Sequence, residues 1–143
     1  LRALLDVNVL IALLDAAHVH HRLASDWLAR EIGQGWASCP ITQNGCIRIM
    51  SQPAYPGTRP AAEVAARLAA AAGTTHHAFW PDDVDLLAPK GFDWRRILGP
   101  RHVTDACLLA LAVRHRGRFV SFDRRIPLEA VVGARPNHLV VLG

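Results

Sequence analysis

At 143 residues, 51% hydrophobic and 20% charged, the chain holds enough apolar material for one buried core and too little length for two, which excludes a disordered protein and predicts one domain over residues 1–143. No apolar run reaches the roughly 20 residues needed to span a bilayer, and Asp6 and Asn8 interrupt the one stretch that resembles a signal-peptide core, so the sequence predicts a cytoplasmic protein with no membrane partner. The formal charge of +4 is uneven, with seven Lys or Arg against eight acids in residues 1–90 and nine Arg against four acids in residues 91–143. Arg95, Arg96, Arg101, Arg114, Arg116, Arg118, Arg124 and Arg125 predict a phosphate-facing surface in the last third. A taste for arginine codons explains why Lys90 is the only lysine, but not the asymmetry.

Taken in order, strands and helices alternate. Arg2 to Leu5 suits a short buried strand, and Val9 to Leu14 continues the apolar run as a helix. Asp6 and Asn8 fall at the junction, where one cap explains one polar residue but not two. His18 to Ile32 predicts a helix with Leu23, Trp27, Leu28 and Ile32 on one face; its histidines lack the i, i+4 pairing of a helical metal site and read as surface residues. Trp36 to Cys39 predicts a buried strand ended by Pro40, and Ile41 to Met50 a helix. Pro53, Pro56, Gly57 and Pro60 mark a loop, followed by a helix over Ala61 to Ala72. His77 to Trp80 predicts a strand, and Val84 to Leu87 a short helical piece after the turn at Pro81 to Asp83. Residues 88–100 read as a loop with one helical turn near Trp94. Thr104 to Val113 is an apolar helix, with Thr104 suited to cap it and Asp105 suited to its first turn. Arg118 to Phe122 alternates as a strand ending at Asp123; Leu128 to Val132 predicts a short helix and Leu139 to Leu142 a last strand. Cys39, Cys46 and Cys107 are odd in number, lack metal-ligand spacing and read as buried free thiols.

Asp6, Asp105 and Asp123 thus occupy equivalent places, each where a strand ends or a helix starts, and in a parallel sheet such places share one edge. At separations of about 5 Å each pair would repel by roughly 3 kcal/mol at an effective dielectric near 20, or roughly 10 for the trio, comparable with the stability of a whole domain. Protons or a cation must neutralise such a site. Oxygen ligands without nearby Cys or His point to Mg²⁺ or Mn²⁺, and a divalent metal beside an arginine-rich surface points to phosphodiester hydrolysis.

At these residues the chain resembles a known family. Asp6-Val7-Asn8-Val9-Leu10, Thr42 to Arg48 (TQNGCIR), Thr104-Asp105-Ala106 and Ser121-Phe122-Asp123 are similar, in order and spacing, to the motifs of PIN-domain nucleases of the VapC type, the toxins of type II toxin–antitoxin pairs. The resemblance covers nearly the whole chain. It implies a three-layer α/β/α fold with a short central parallel sheet, Mg²⁺- or Mn²⁺-dependent endoribonuclease activity on RNA, a VapB-type antitoxin partner and a homodimer. It further implies that Asp6 and Asp105 hold the metal, that Asp123 completes the acidic cluster, and that Asn8 and Thr104 support it. Gln43 stands where the family often has Glu, so a neutral amide takes the place of one catalytic carboxylate, and Cys107 stands where an aromatic residue is common. Arg48 is expected to approach phosphate or to form an ordinary surface ion pair, and Arg124 and Arg125 to contact RNA.

Two other functions fit some of the residues. A non-catalytic RNA-binding module of the same fold would account for Gln43 as decay of the acidic site, although three acids remain. An aspartyl-phosphate enzyme using Asp6 as nucleophile leaves the basic last third unexplained. GxGxxG, GxxxxGK[ST] and GxSxG motifs are all absent.

Overall fold

Strand β1 (Ala3–Leu5) lies in the middle of the sheet, and its residues are at most 1% exposed. Burial on both faces is what a parallel sheet between helical layers demands, and it is why this strand reads as an unbroken apolar run rather than an alternating one. In a computed structural model that describes all residues from Leu1 to Gly143, β2 (Trp36–Ser38), β3 (His77–Phe79), β4 (Arg118–Ser121) and β5 (Leu139–Val141) run parallel to it in the order β3-β2-β1-β4-β5.

Helices α1 (Val7–Leu14), α2 (His21–Glu31), α3 (Pro40–Met50) and α4 (Ala61–Ala72) contribute to the core on one face, where Ala3 and Leu5 meet Leu10, Trp27, Met50 and Leu68. Helix α5 (Pro100–Arg114) covers the other face, where Leu4 meets Leu108, Leu109, Leu111 and Phe119. The two-residue period of β1 sends Leu4 one way and its neighbours the other. The result is a three-layer α/β/α fold. No helix is long and apolar enough to cross a membrane. Burial pushes the Cys39 and Cys46 thiols up to about 11, and all three cysteines are free.

Several sequence expectations change. Helix α2 starts at His21, because His18 spends its ring nitrogen on the backbone N–H of His20 in a turn. Its buried stripe runs through Ala24 and Trp27, and Leu23 is exposed. Val84 to Leu87 is not helical. There the Asp85 carboxylate accepts from the Leu87 backbone N–H, a local bond that competes with helix formation. The expected turn near Trp94 and helix near Leu128 are single 3₁₀ turns, Trp94–Arg96 and Leu128–Ala130. Helix α5 begins at Pro100 with Gly99 as its N-cap, since proline is well placed in a first helical turn. Thr104 is therefore inside the helix and does not cap it, and Asp105 lies beyond the first turn, outside the favourable reach of the helix N-terminus.

After β1 the chain crosses to one face of the sheet, while the helix that precedes β4 lies on the other, so the topological switch falls between these neighbouring strands. Crevices at such switches are where ligands collect in open α/β sheets. Their walls here depend on Gly45, which lets α3 approach the first turn of α1; a Cβ at that position would stand 2.6 Å from Val7 Cγ2. Gly45→Ala should cost about 2 kcal/mol of stability through overpacking, lowering Tm by roughly 6 °C. Adding Val7→Ala should recover most of the loss. Thermal unfolding of the single and double variants checks this; a single variant as stable as wild type would remove the close approach as a constraint.

Candidate active site

Asp6 occupies the switch. Its Oδ1 accepts from the Val7 backbone N–H at 2.7 Å, capping α1, and its Oδ2 accepts the Ser121 hydroxyl proton at 2.6 Å. Its own N–H donates to Val120 O at 2.9 Å, extending the β1–β4 ladder by one residue. The side chain is thus fixed at both oxygens in a place that is only 8% exposed. Burial pushes the Asp6 carboxyl up from the usual range, the two hydrogen bonds pull it back down, and repulsion from Asp123 raises it further.

Ser121 is the hub. Besides donating to Asp6, its Oγ accepts from Asn8 Nδ2 at 3.3 Å and from the Asp123 backbone N–H at 3.1 Å. Asn8 lies inside the first turn of α1, and its Oδ1 is buried without a hydrogen-bond partner. Asp123 accepts from the Arg125 backbone N–H at 2.8 Å, the turn geometry open to an aspartate at that point. Asp105 reaches the same place from α5. Its carboxyl is pushed up to about 6, first by burial and then by the charges of Asp6 and Asp123, while His102 one turn earlier opposes the rise.

The three acids therefore repel one another across the end of the sheet, and only one of them is nearly enclosed. An all-oxygen donor set, a buried amide oxygen without a partner and a carboxyl pushed up by burial and then by neighbouring anions fit a hard cation such as Mg²⁺ or Mn²⁺. No three acidic, His or Cys side chains form a ready-made metal cage.

Other residues singled out by the sequence lie around this point. Gln43 Nε2 donates to Ser38 Oγ at 3.0 Å, and Ser38 Oγ lies 2.8 Å from His77 Nε2. Gln43 is thus anchored to the end of β2, with no hydrogen bond to the three acids. Arg48 is exposed and lines a groove together with Thr104; the ordinary ion pair open to it is not formed. Arg124 Nη2 donates to Gly143 O at 3.1 Å, and Arg125 Nε stands 3.9 Å from Asp123.

Of the eight arginines expected to form one surface, Arg101, Arg116 and Arg124 form no ion pair and five are engaged, Arg125 with Asp123 among them. Arg95 and Arg96 pair with Asp93, Arg96 also pairs with Glu129 at 2.7 Å, and Arg114 pairs with Asp83 at 3.1 Å. Arg118 is not a surface residue at all. Its side chain is 14% exposed, its Nη2 is 3.6 Å from Glu31, and its guanidinium lies 5.1 Å from the Trp27 ring centroid. Ser121, quoted in a motif but given no role from sequence, is the residue that reasoning missed. Its signal was a polar side chain at a buried end of an apolar strand.

With this geometry described, comparison places the chain among known proteins. The PIN domain family matches residues 3–131. Ribonuclease VapC44 of Mycobacterium tuberculosis (strain ATCC 25618 / H37Rv) is 53% identical over 142 residues, covering 99% of this chain and 100% of that protein. Ribonuclease VapC39 of the same strain is 44% identical over 133 residues, covering 92% and 95%. Ribonuclease VapC38 is 40% identical over 122 residues, covering 85% and 84%. An apolar β1 ending in a buried acid, two further acids on α5 and after β4, and similarity over almost the full length all lead to one conclusion: the chain belongs to the PIN-domain family, among its VapC proteins.

Proposed function

We propose that this protein is an endoribonuclease that hydrolyses RNA phosphodiester bonds with Mg²⁺ or Mn²⁺, acting as the toxin of a type II toxin–antitoxin pair in the cytoplasm, as a homodimer silenced by a VapB-type antitoxin. The relatives named ribonucleases support the reaction class. The observation that carries the site is the Asp6 carboxylate, almost enclosed at the end of β1 and fixed at both oxygens by Ser121 and the Val7 N–H, with Asp105 and Asp123 close enough to repel it.

In this reading Asp6 and Asp105 hold the ion and Asp123 completes the acidic cluster. Such a metal supplies a water of lowered pKa and neutralises charge on phosphate oxygens. The protein's own groups do the positioning. Ser121 and the Val7 N–H fix both oxygens of Asp6, so that carboxylate is oriented before a ligand arrives. The unpartnered Asn8 Oδ1 is free to accept from a water beside the acids. Gln43, its amide held by Ser38, orients groups at the β2 side of the site. Thr104 supports from α5, and Arg48, Arg124 and Arg125 contact the RNA, Arg48 and Arg124 forming no ion pair while Arg125 stands 3.9 Å from Asp123.

The reading predicts that Asp6→Asn and Asp105→Asn each lower RNA cleavage by at least about a hundredfold while leaving the far-UV circular dichroism unchanged. Purified protein, RNA and Mn²⁺, with and without EDTA, provide the assay. Cleavage that survives EDTA or either substitution sinks the metal-nuclease reading, and RNA binding without cleavage would favour the non-catalytic module.

A second outcome follows from proton linkage. Burial and the neighbouring acids push the folded Asp105 carboxyl up to about 6, well above the ordinary aspartate range, so the folded state binds its proton more tightly than the unfolded state does. Its contribution to stability is complete below pH 4 and is lost as pH rises through 6, above which the ionised carboxylate is a net cost. Solvent reaching this half-buried group limits that cost to about 1–2 kcal/mol. In EDTA, Asp105→Asn should therefore melt roughly 3–6 °C above wild type at pH 8 and level with it at pH 4. Equal melting at both pH values would show that the carboxylates do not strain the metal-free fold.

A further inference from the structure

Beside the acids runs an open groove of about 420 Å³ whose lining includes Val7, Asn44, Gly45, Arg48, Asp82 and Thr104, a volume within the range of about 300–1,000 Å³ that ligand sites occupy. Val7 follows Asp6 and Thr104 precedes Asp105, so the groove begins at the immediate neighbours of two of the acids. A nucleotide flanking a phosphate bound through a cation at those acids would lie there. Asn44 and Arg48 are four residues apart, so they share one face of α3, whereas Gln43 is turned to Ser38.

Asp82 is the unexpected member. Two other acids in its segment have structural partners, Asp83 with Arg114 and His115, and Asp85 with the Leu87 N–H. Asp82 is exposed, forms no ion pair, has the buried Cys39 thiol as its one side-chain hydrogen-bond partner, and stands near Cys107. Asp82 lines the groove, whereas Asp6, Asp105 and Asp123 do not.

A carboxylate without a cationic partner repels a phosphate chain, so its use beside RNA is to accept hydrogen bonds from a base. Guanine alone offers a carboxylate two adjacent donors, N1–H and the N2 amino group, while its O6 and N7 accept a bidentate arginine. Single-stranded RNA is read on these edges. We propose that the Asp82–Arg48 groove is a guanine-recognising subsite, with Asp82 taking N1–H and N2–H, Arg48 taking the O6/N7 edge, and Asn44 adjusting the fit. The proposal rests on the ribonuclease reading of the adjoining acids.

The test has a binding arm and a cutting arm. In the binding arm, fluorescence anisotropy in Mn²⁺ compares three labelled 11-nucleotide oligouridines, each with a central guanosine, inosine or adenosine, on full-length protein carrying Asp105→Asn to suppress cutting. The guanosine probe should bind at least about tenfold tighter than inosine, which lacks the N2 amino group, or adenosine. Asp82→Asn, which keeps the shape but can accept at only one atom, should erase that difference. In the cutting arm, end-mapping of a transcribed RNA pool digested with Mn²⁺ should show guanosine at one fixed position beside the cut for otherwise wild-type protein. With Asp82→Asn, cuts should spread to sites without it. Equal binding of all probes, a difference that survives Asp82→Asn, or loss of every cut in Asp82→Asn would overturn the proposal, the last by placing Asp82 with the metal-holding acids. If the wild-type protein cuts nothing but guanosine selectivity persists in binding, the nuclease reading fails and the subsite stands. If it cuts without guanosine preference, the subsite fails and the nuclease reading stands.

Discussion

The hydrogen bond from the Ser121 hydroxyl to Asp6 joins the ends of β1 and β4, and the candidate site is arranged around it. A carboxylate enclosed to the degree of Asp6 is expensive to keep charged unless donors are aimed at it. Here the donors come from both sides of the switch, the Val7 N–H at the start of α1 and Ser121 at the end of β4. Register makes this possible. Leu5 pairs with Val120, so the next residue on each strand, Asp6 and Ser121, emerges side by side. The same hydroxyl oxygen gathers Asn8 and the Asp123 N–H, so one side chain sets the positions of three groups.

Around this anchored acid the fold tolerates an electrostatic conflict. Asp105 is brought in on α5, from the face opposite to α1, and Asp123 on the turn after β4, so each arrives on a different element. Rigid elements hold these charges near one another although their repulsion opposes it. Part of the conflict is visible as the raised titration of Asp105. Sites that store strain of this kind are common where a ligand is to relieve it, and the helix-start explanation of Asp105 fails because α5 begins at Pro100.

Charge elsewhere is distributed differently from what the count of arginines implied. Acids on neighbouring loops neutralise Arg95, Arg96 and Arg114, and Arg118 is packed on Trp27. Near the acids runs a short groove lined by Arg48 and Asp82, neither of which forms an ion pair. Recognition of a flexible, single-stranded ligand needs donors and acceptors in a defined place more than it needs a broad positive field.

The sequence by itself determined the sheet-and-helix alternation, the buried first strand and the three acids, because each depends on local pattern. A continuous apolar run, a proline at a helix start or an acid at a strand end is legible within a few residues. Tertiary structure decided the rest. Whether Ser121 bonds Asp6 depends on a register between strands more than a hundred residues apart, and no local pattern carries that. Gln43 faces Ser38 while Asn44 and Arg48 face the groove because the packing of α3 on α1, permitted by Gly45, sets the rotation of the helix. Five of the eight arginines are engaged by acids for the same reason: an ion pair is a meeting of particular residues, and composition counts charges without saying which of them meet.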